Sequence, residues 1–200
     1  MKTNLFSPAD IKTQIEECAS LESQAQPSIT QSPARLAQKP NKLAQHITAC
    51  LSAGHKHIDF VSAGDLSLHN LIQGLCFYFD KPAELWLSTW AVKEAAARTI
   101  VQLIDSKHIT AVRAVFDYRI QSVDAKTYHL LKRHLTQSAL TKNHAKVIVL
   151  DFITDQITIV TSANLSNNPR IEAGFVSANQ LTSDFHMGWM KKVLSGQRVV

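Results

Sequence analysis

Cysteine is scarce: the chain of 200 residues holds three, Cys18, Cys50 and Cys76. The number is odd, the three lie far apart, and none stands at metal-ligand spacing. That excludes a disulfide framework and a zinc module. They read as reduced, small apolar side chains of a cytoplasmic protein. Long hydrophobic runs are missing as well. The opening MKTNLFSPADIKTQIEE has no continuous apolar segment, and no stretch approaches a membrane span. The expectation is a soluble, unsecreted chain with no membrane partner. Charged residues make up only 18% against 45% apolar, a globular balance that excludes disorder along most of the length. No internal repeat of fixed period occurs.

What is present is basic. The net charge of +5 and the pI near 9.2 suit a polyanionic partner, although many proteins of this balance bind no nucleic acid. Nine histidines require that each His be judged by its surroundings.

Residues 1–42 read as an appendage. Ser7-Pro8-Ala9-Asp10 opens a helix with a capping hydroxyl, a proline at the first helical position and an acid in the first turn. Ile11, Ile15, Cys18 and Leu21 give it a narrow apolar stripe. The following SQAQPSITQSPARLAQKPNK holds three of the six prolines and reads as a linker.

Residues 43–200 read as the main domain. Leu43, Ile47 and Leu51 mark a short helix, and 57–62 alternates as a strand. A helix over 68–78, an extended stretch at 84–88, a helix over 92–104 and a strand at 111–118 follow. Asp124 caps a helix carrying Tyr128, Leu131 and Leu135. Strands at 143–151, 157–161 and 171–177 and a helix over 183–194 complete the chain. Strands alternating with helices and closing in a hairpin predict an α/β domain layered around a central mixed sheet.

The informative stretch is NHAKVIVLD, 143–151. Residues two apart in a strand face the same way, so His144 and Lys146 point together. The next strand runs back and ends in Thr161-Ser162-Ala163-Asn164, where Ser162 and Asn164 share a face. A hairpin sets the end of its second strand beside the start of its first. An imidazole, an ammonium and two neutral hydrogen-bonding groups therefore meet, a set suited to a phosphate.

His144-x-Lys146-x-x-x-x-Asp151, followed by a strand ending Ser162-x-Asn164, resembles the signature of the phospholipase D superfamily. The likeness spans 43–194, since Lys56-His57-Ile58-Asp59 leading into a strand is similar to how such domains begin. Two departures stand out: Thr161 replaces the usual Gly before the Ser, and the interval from Asp151 to Ser162 is a few residues longer, assigned to a longer hairpin tip. Family members build one site from two motifs, yet of nine histidines only His144 has Lys two residues on. A single copy resembles the short bacterial nucleases of this superfamily and implies a homodimer sharing one centre. The resemblance implies that one His144 attacks phosphorus while the partner's His144 serves as general acid and then base. Lys146 and Asn164 hold the phosphate oxygens, with Ser162 assisting. Glu172 is similar to the carboxylate that orients the imidazole, and Asp151 reads as a structural brace among the motif residues. No metal and no cofactor are implied.

The resulting expectation is a metal-independent phosphodiesterase, a nuclease acting on DNA or RNA. A phospholipase or transphosphatidylase with the same residues, and a non-catalytic nucleic-acid-binding module, remain as alternatives. Arg119, Lys132, Arg133, Lys142 and Arg170 are the candidate nucleic-acid contacts, with an ordinary solvated helix face equally open for Lys132 and Arg133. His55 and His57 lack a third metal ligand nearby. Trp86 and Trp189 are expected in the core, with Trp90 open between core and base stacking. A Ser-His-Asp hydrolase on Ser162 lacks a nucleophile elbow.

Overall fold

The computed structural model describes residues 34–37, 40–63, 67–166 and 170–197, so the helix expected over 7–21 lies outside the described residues. Along the chain come β1 (Ala34–Ala37), α1 (Pro40–Ser52), β2 (His57–Ala63), α2 (Leu68–Phe79), β3 (Ala83–Thr89), α3 (Glu94–Asp105) and β4 (Ile109–Asp117). Then follow α4 (Ile120–Val123), α5 (Ala125–Lys132), β5 (Gln137–Thr141), β6 (Val147–Asp151), β7 (Gln156–Thr161), β8 (Ile171–Ser177) and α6 (Gln180–Leu194).

Among the described residues the strands form one mixed eight-stranded sheet in the order β1-β2-β8-β7-β6-β3-β4-β5. Successive strands β2, β8, β7, β6 and β3 pair antiparallel, while β3, β4 and β5 are mutually parallel. This is the α/β layered architecture that the sequence pattern predicts.

Alternation along the strands sorts side chains between two cores. Leu85 and Leu87 of β3, Ile148 and Leu150 of β6 and Ile159 of β7 join the larger core with Ile47, Leu75, Ile100 and Leu131 from the helices. Trp86, Val115, Val147 and Val149 join a second core with Met187 and Met190 of α6. Burial from both sides is why β6 reads as the unbroken apolar run VIVLD. Each fully buried aliphatic side chain contributes about 1.5–3 kcal/mol.

Local chemistry fixes the helix starts. The Asp124 carboxylate accepts from the Thr127 N–H at 3.2 Å, as its capping role predicts. The Asn179 side chain accepts from the Leu181 N–H at 2.9 Å and starts α6 at Gln180, before the expected 183. In α3, Ala96, Ala97, Ile100 and Leu103 form the buried stripe, and Glu94 pairs with Arg98 one turn on.

Three elements differ from the expectation. β5 was not anticipated, because QSALT is short and half exposed and shows no period-2 pattern. β1 and the first residues of α1 lie within the stretch read as a linker. Ala34–Ala37 pairs in parallel with Ile58–Val61 of β2, and residues Pro33–Val200 form one compact unit. β6 begins at Val147, so 143–146 precede the strand and are not part of it.

Several strand ends converge beyond this end of the sheet. Ser88 of β3 and Val160 of β7 both lie opposite Val147, the first residue of β6, and β4 and β5 end alongside.

Candidate active site

Asn143, which the sequence pattern left without a role, anchors the segment carrying His144. It is 8% exposed. Its side-chain amide donates to the Val115 carbonyl at 2.9 Å and the Ser88 hydroxyl at 3.0 Å, while its Oδ1 accepts from the Ala145 N–H at 3.0 Å. The Asn143 N–H donates to Asp117 Oδ2 at 3.1 Å. One side chain thus ties the loop to β3 and β4 and leaves His144 beside it exposed to solvent. The only sequence signal was a polar residue at a strand start, and its partners lie far along the chain.

Unlike His144, Lys146 is buried. It is 8% exposed, and its Nζ donates to the His144 carbonyl at 2.7 Å. Burial pushes the Lys146 pKa below the usual lysine value, and the Glu172 carboxylate partly offsets that by favouring the charge. The expectation that His144 and Lys146 share a strand face is therefore corrected. Neither is in the strand, and the ammonium is held by the backbone of the residue whose imidazole is exposed.

β7 delivers Ser162 beside this segment. The Thr161 N–H donates to the Lys146 carbonyl at 3.1 Å, and the Ser162 N–H donates to the Ala173 carbonyl of β8 at 2.9 Å. The Ser162 hydroxyl donates to Glu172 Oε2 and accepts from the Ala173 N–H at 3.1 Å. Glu172 is 6% exposed, a buried carboxylate with a hydroxyl partner and the Lys146 charge nearby. Asn164 follows on the same loop, its Oδ1 buried and without a hydrogen-bond partner among the described residues.

Thr161, the departure from glycine, has a local compensation. It lies opposite Gly174 on β8. A Cβ at Gly174 would come within 2.2 Å of the Val160 carbonyl and 2.9 Å of Thr161 Cα and Cβ. Glycine on β8 makes the room that threonine on β7 takes. The Thr161 hydroxyl donates to the Ala173 carbonyl at 3.2 Å and accepts from the Ala163 N–H at 3.1 Å.

Asp151 is not brought to this cluster. It ends β6 four residues past Val147, about 13 Å away at ~3.3 Å per residue. There its Oδ1 accepts from the Ile153 N–H at 3.2 Å. It braces the hairpin tip, where Ile153 takes a left-handed φ of 73°.

The candidate basic contacts divide. Arg119 and Arg170 line one cavity together with Asn164. Lys142 is exposed directly before Asn143. Lys132 and Arg133 lie at the far end of α5, roughly 12 Å from Asp124 at ~1.5 Å rise per residue, with the Lys132 ammonium 5.6 Å from the centre of the Tyr128 ring. They do not join the others. Trp86 is core, with Arg113 over its ring at 4.7 Å, and Trp189 is partly buried against the α6 core. Trp90 lines the cavity with Arg119. Among the described residues no three His, Cys, Asp or Glu side chains gather as a metal cluster would require.

No protein-family profile and no curated protein matches the chain. Solved structures do. NucT from Helicobacter pylori is 14% identical with a TM-score of 0.53, the match covering 70% of this chain and 97% of NucT. Polyphosphate kinase from Porphyromonas gingivalis is 14% identical with a TM-score of 0.55, over 85% of this chain and 30% of the kinase. At that identity the likeness speaks for architecture: the chain has a phospholipase D-like fold.

Proposed function

We propose that this chain is a metal-independent phosphodiesterase of phospholipase D type, an endonuclease on DNA or RNA, working as a homodimer with one shared site. The observation that carries the reading is the cluster at the start of β6. An exposed imidazole stands next to a buried ammonium, a Ser–Glu pair and an Asn amide, all at one end of a phospholipase D-like sheet.

In this reading the phosphate lies between two copies of His144. The imidazole of one forms a P–N bond as the P–O bond to the leaving nucleotide breaks, and the partner's His144 gives that oxygen its proton. Water then attacks phosphorus, losing its proton to the same partner imidazole, and the P–N bond breaks to release the product. Lys146 and Asn164 bear the developing charge on the phosphate oxygens. Ser162, braced by Glu172, supplies a further hydroxyl. Asp151 serves the fold. The need for two imidazoles in opposite protonation states, with one His-x-Lys per chain, supports the dimer. The basic net charge of +5 supports a nucleic acid over a lipid.

The test is plasmid and RNA cleavage in excess chelator by wild type, His144→Ala and Lys146→Ala. Wild type is expected to cut, and His144→Ala to lose more than the ~10²–10⁴-fold of a lone acid–base group, since it removes the nucleophile as well. Cleavage that disappears with chelator, or that survives in His144→Ala, refutes the reading. Light scattering gives the mass, and a fully active monomer refutes the shared site.

A further inference from the structure

Beside the catalytic cluster lies a cavity of about 300 Å³, lined by Trp90 and Lys93 from the β3–α3 connection, Arg119 and Asp124 flanking α4, and Asn164 and Arg170 from the loop after β7. Its walls are fastened to one another. The Lys93 N–H donates to the Leu165 carbonyl at 2.8 Å, and Val92 bridges to Leu165, joining the Trp90 loop to the Asn164 loop. Arg119 is gripped by Asp117 through Nε at 2.6 Å and its terminal nitrogen at 3.2 Å. That same carboxylate accepts the Asn143 N–H. One buried acid therefore fixes both the guanidinium of the cavity and the backbone next to His144.

Two features make the lining unusual. The Arg119 guanidinium stands 5.3 Å from the centre of the Trp90 ring and keeps half of its side chain exposed, so it offers a held, cationic, planar surface. The Trp90 Nε1–H and the Asn164 Oδ1, a donor and an acceptor, are both buried and without partners among the described residues. Buried polar atoms of that kind are costly unless something completes them. Nucleobases stack on aromatic rings and on guanidinium planes, and carry donors and acceptors on their edges. The volume lies at the lower end of the ~300–1,000 Å³ typical of small-molecule sites, which suits one nucleotide and excludes a duplex groove. Asn164 is a wall of this cavity and a member of the cluster at His144.

We propose that the cavity receives one unpaired base of the substrate, stacked on the Arg119–Trp90 pair, next to the phosphate that His144 attacks. This rests on the phosphodiesterase reading above and extends it from the phosphate to the adjoining nucleoside. Arg170, exposed at the rim, meets the neighbouring phosphate. A base inside a helix reaches the cavity only by leaving its stack.

The experiment moves a single abasic residue through an end-labelled single-stranded oligonucleotide and measures kcat/KM for each cut bond, with bis(p-nitrophenyl) phosphate as a base-free diester. The wild type is expected to lose about 5- to 100-fold when the abasic residue sits at one fixed position beside the cut bond, and little elsewhere. Trp90→Leu brings the ratio of intact to abasic substrate at that position close to one, and Trp90→Phe keeps part of it. The wild-type scan needs no folded variant, so an unstable Trp90→Leu leaves the result decisive. A flat wild-type scan overturns the base site, as does a Trp90→Leu enzyme that keeps the positional loss. Oligonucleotides left intact while the base-free diester is hydrolysed overturn the base site and leave the phosphodiesterase standing. If neither is hydrolysed, the phosphodiesterase reading itself falls and the base site with it.

Discussion

Asn143→Ala isolates what holds the segment carrying His144 in place. The wild-type amide donates to the Val115 carbonyl and the Ser88 hydroxyl and accepts from the Ala145 N–H. Ala145 is exposed, so water can take over its N–H at little cost. The inward bonds have no such substitute, because Ser88 and Val115 are each 1% exposed. Two lost interior bonds at a net ~1 kcal/mol apiece, or somewhat more where an acceptor is stranded, give a destabilisation of about 2–3 kcal/mol. In a unit of this size that lowers Tm by roughly 4–12 °C, readable by calorimetry. The kinetic effect is larger than the thermal one. With the loop unpinned His144 loses its alignment, and a displacement of about 1 Å costs on the order of 10²-fold in turnover. The loss falls mainly on kcat, because Ser162 and Asn164, which follow β7, are untouched. Asn143→Asp is worse, since it keeps the acceptor, loses the donors, and sets a second carboxylate beside Asp117. Ser88→Ala, which removes the acceptor of one of these two inward bonds together with a long 3.3 Å bond to the Ala145 carbonyl, is the intermediate comparison, expected to cost about 1 kcal/mol. An Asn143→Ala protein that melts with the wild type, or retains wild-type kcat, refutes the anchoring role.

Lys146 titrates below the ordinary lysine value of 10.5 because it is buried. The unfolded chain therefore holds the extra proton between the folded pKa and 10.5, and the penalty of keeping this cation folded is present below that window and relieved as pH rises through it. Phosphate binding has the opposite dependence and weakens over the same window as the charge is lost. Reductive ¹³C-methylation with NMR titration of the wild type and Lys146→Arg assigns the resonance. Glu172→Gln must move it further down, since Glu172 favours the charged form; an unmoved or raised value contradicts the assigned cause. Gly174→Ala forces a Cβ to within 2.2 Å of the Val160 carbonyl, and separation of β7 from β8 is expected to cost at least ~2–3 kcal/mol and to displace Ser162. A Gly174→Ala chain with wild-type Tm and activity shows that the strands yield more easily than the close approach implies.

The β6–β7 hairpin was readable because its information is local. A doubly buried strand, a polar turn and a second apolar strand fix one register, and that register carries Lys146 to Thr161 and so Ser162 to Glu172. What stayed hidden depends on partners far along the chain. Asn143 was visible as a polar residue before a strand, but its bonds to Ser88, Val115 and Asp117 exist only once β3, β4 and β6 lie side by side. β1 and β5 are the two edge strands among the described residues, and the half-exposed β5 leaves no alternation to read. The unequal burial of His144 and Lys146 has a related cause: both precede the ladder, where tertiary bonds and not the pleat set the side chains.

Thr161 shows most directly how a departure in one strand is resolved in another. Read alone, a threonine where the resemblance implies glycine leaves the loop geometry open. Across the ladder Gly174 supplies the missing space, and the Thr161 hydroxyl then bonds both the Ala173 carbonyl and the Ala163 N–H. The exchange also adds a side-chain bond to β8 immediately before Ser162. It therefore fixes the hydroxyl that Glu172 receives, and with it the path of the chain to Asn164. Positioning at this site is distributed over five strands. Asn143 holds β6 to β3 and β4, and Thr161 holds β7 to β8. The Lys146 ammonium closes the gap by gripping the His144 carbonyl. The imidazole is exposed, yet the residues on either side of it are fixed by groups that are buried.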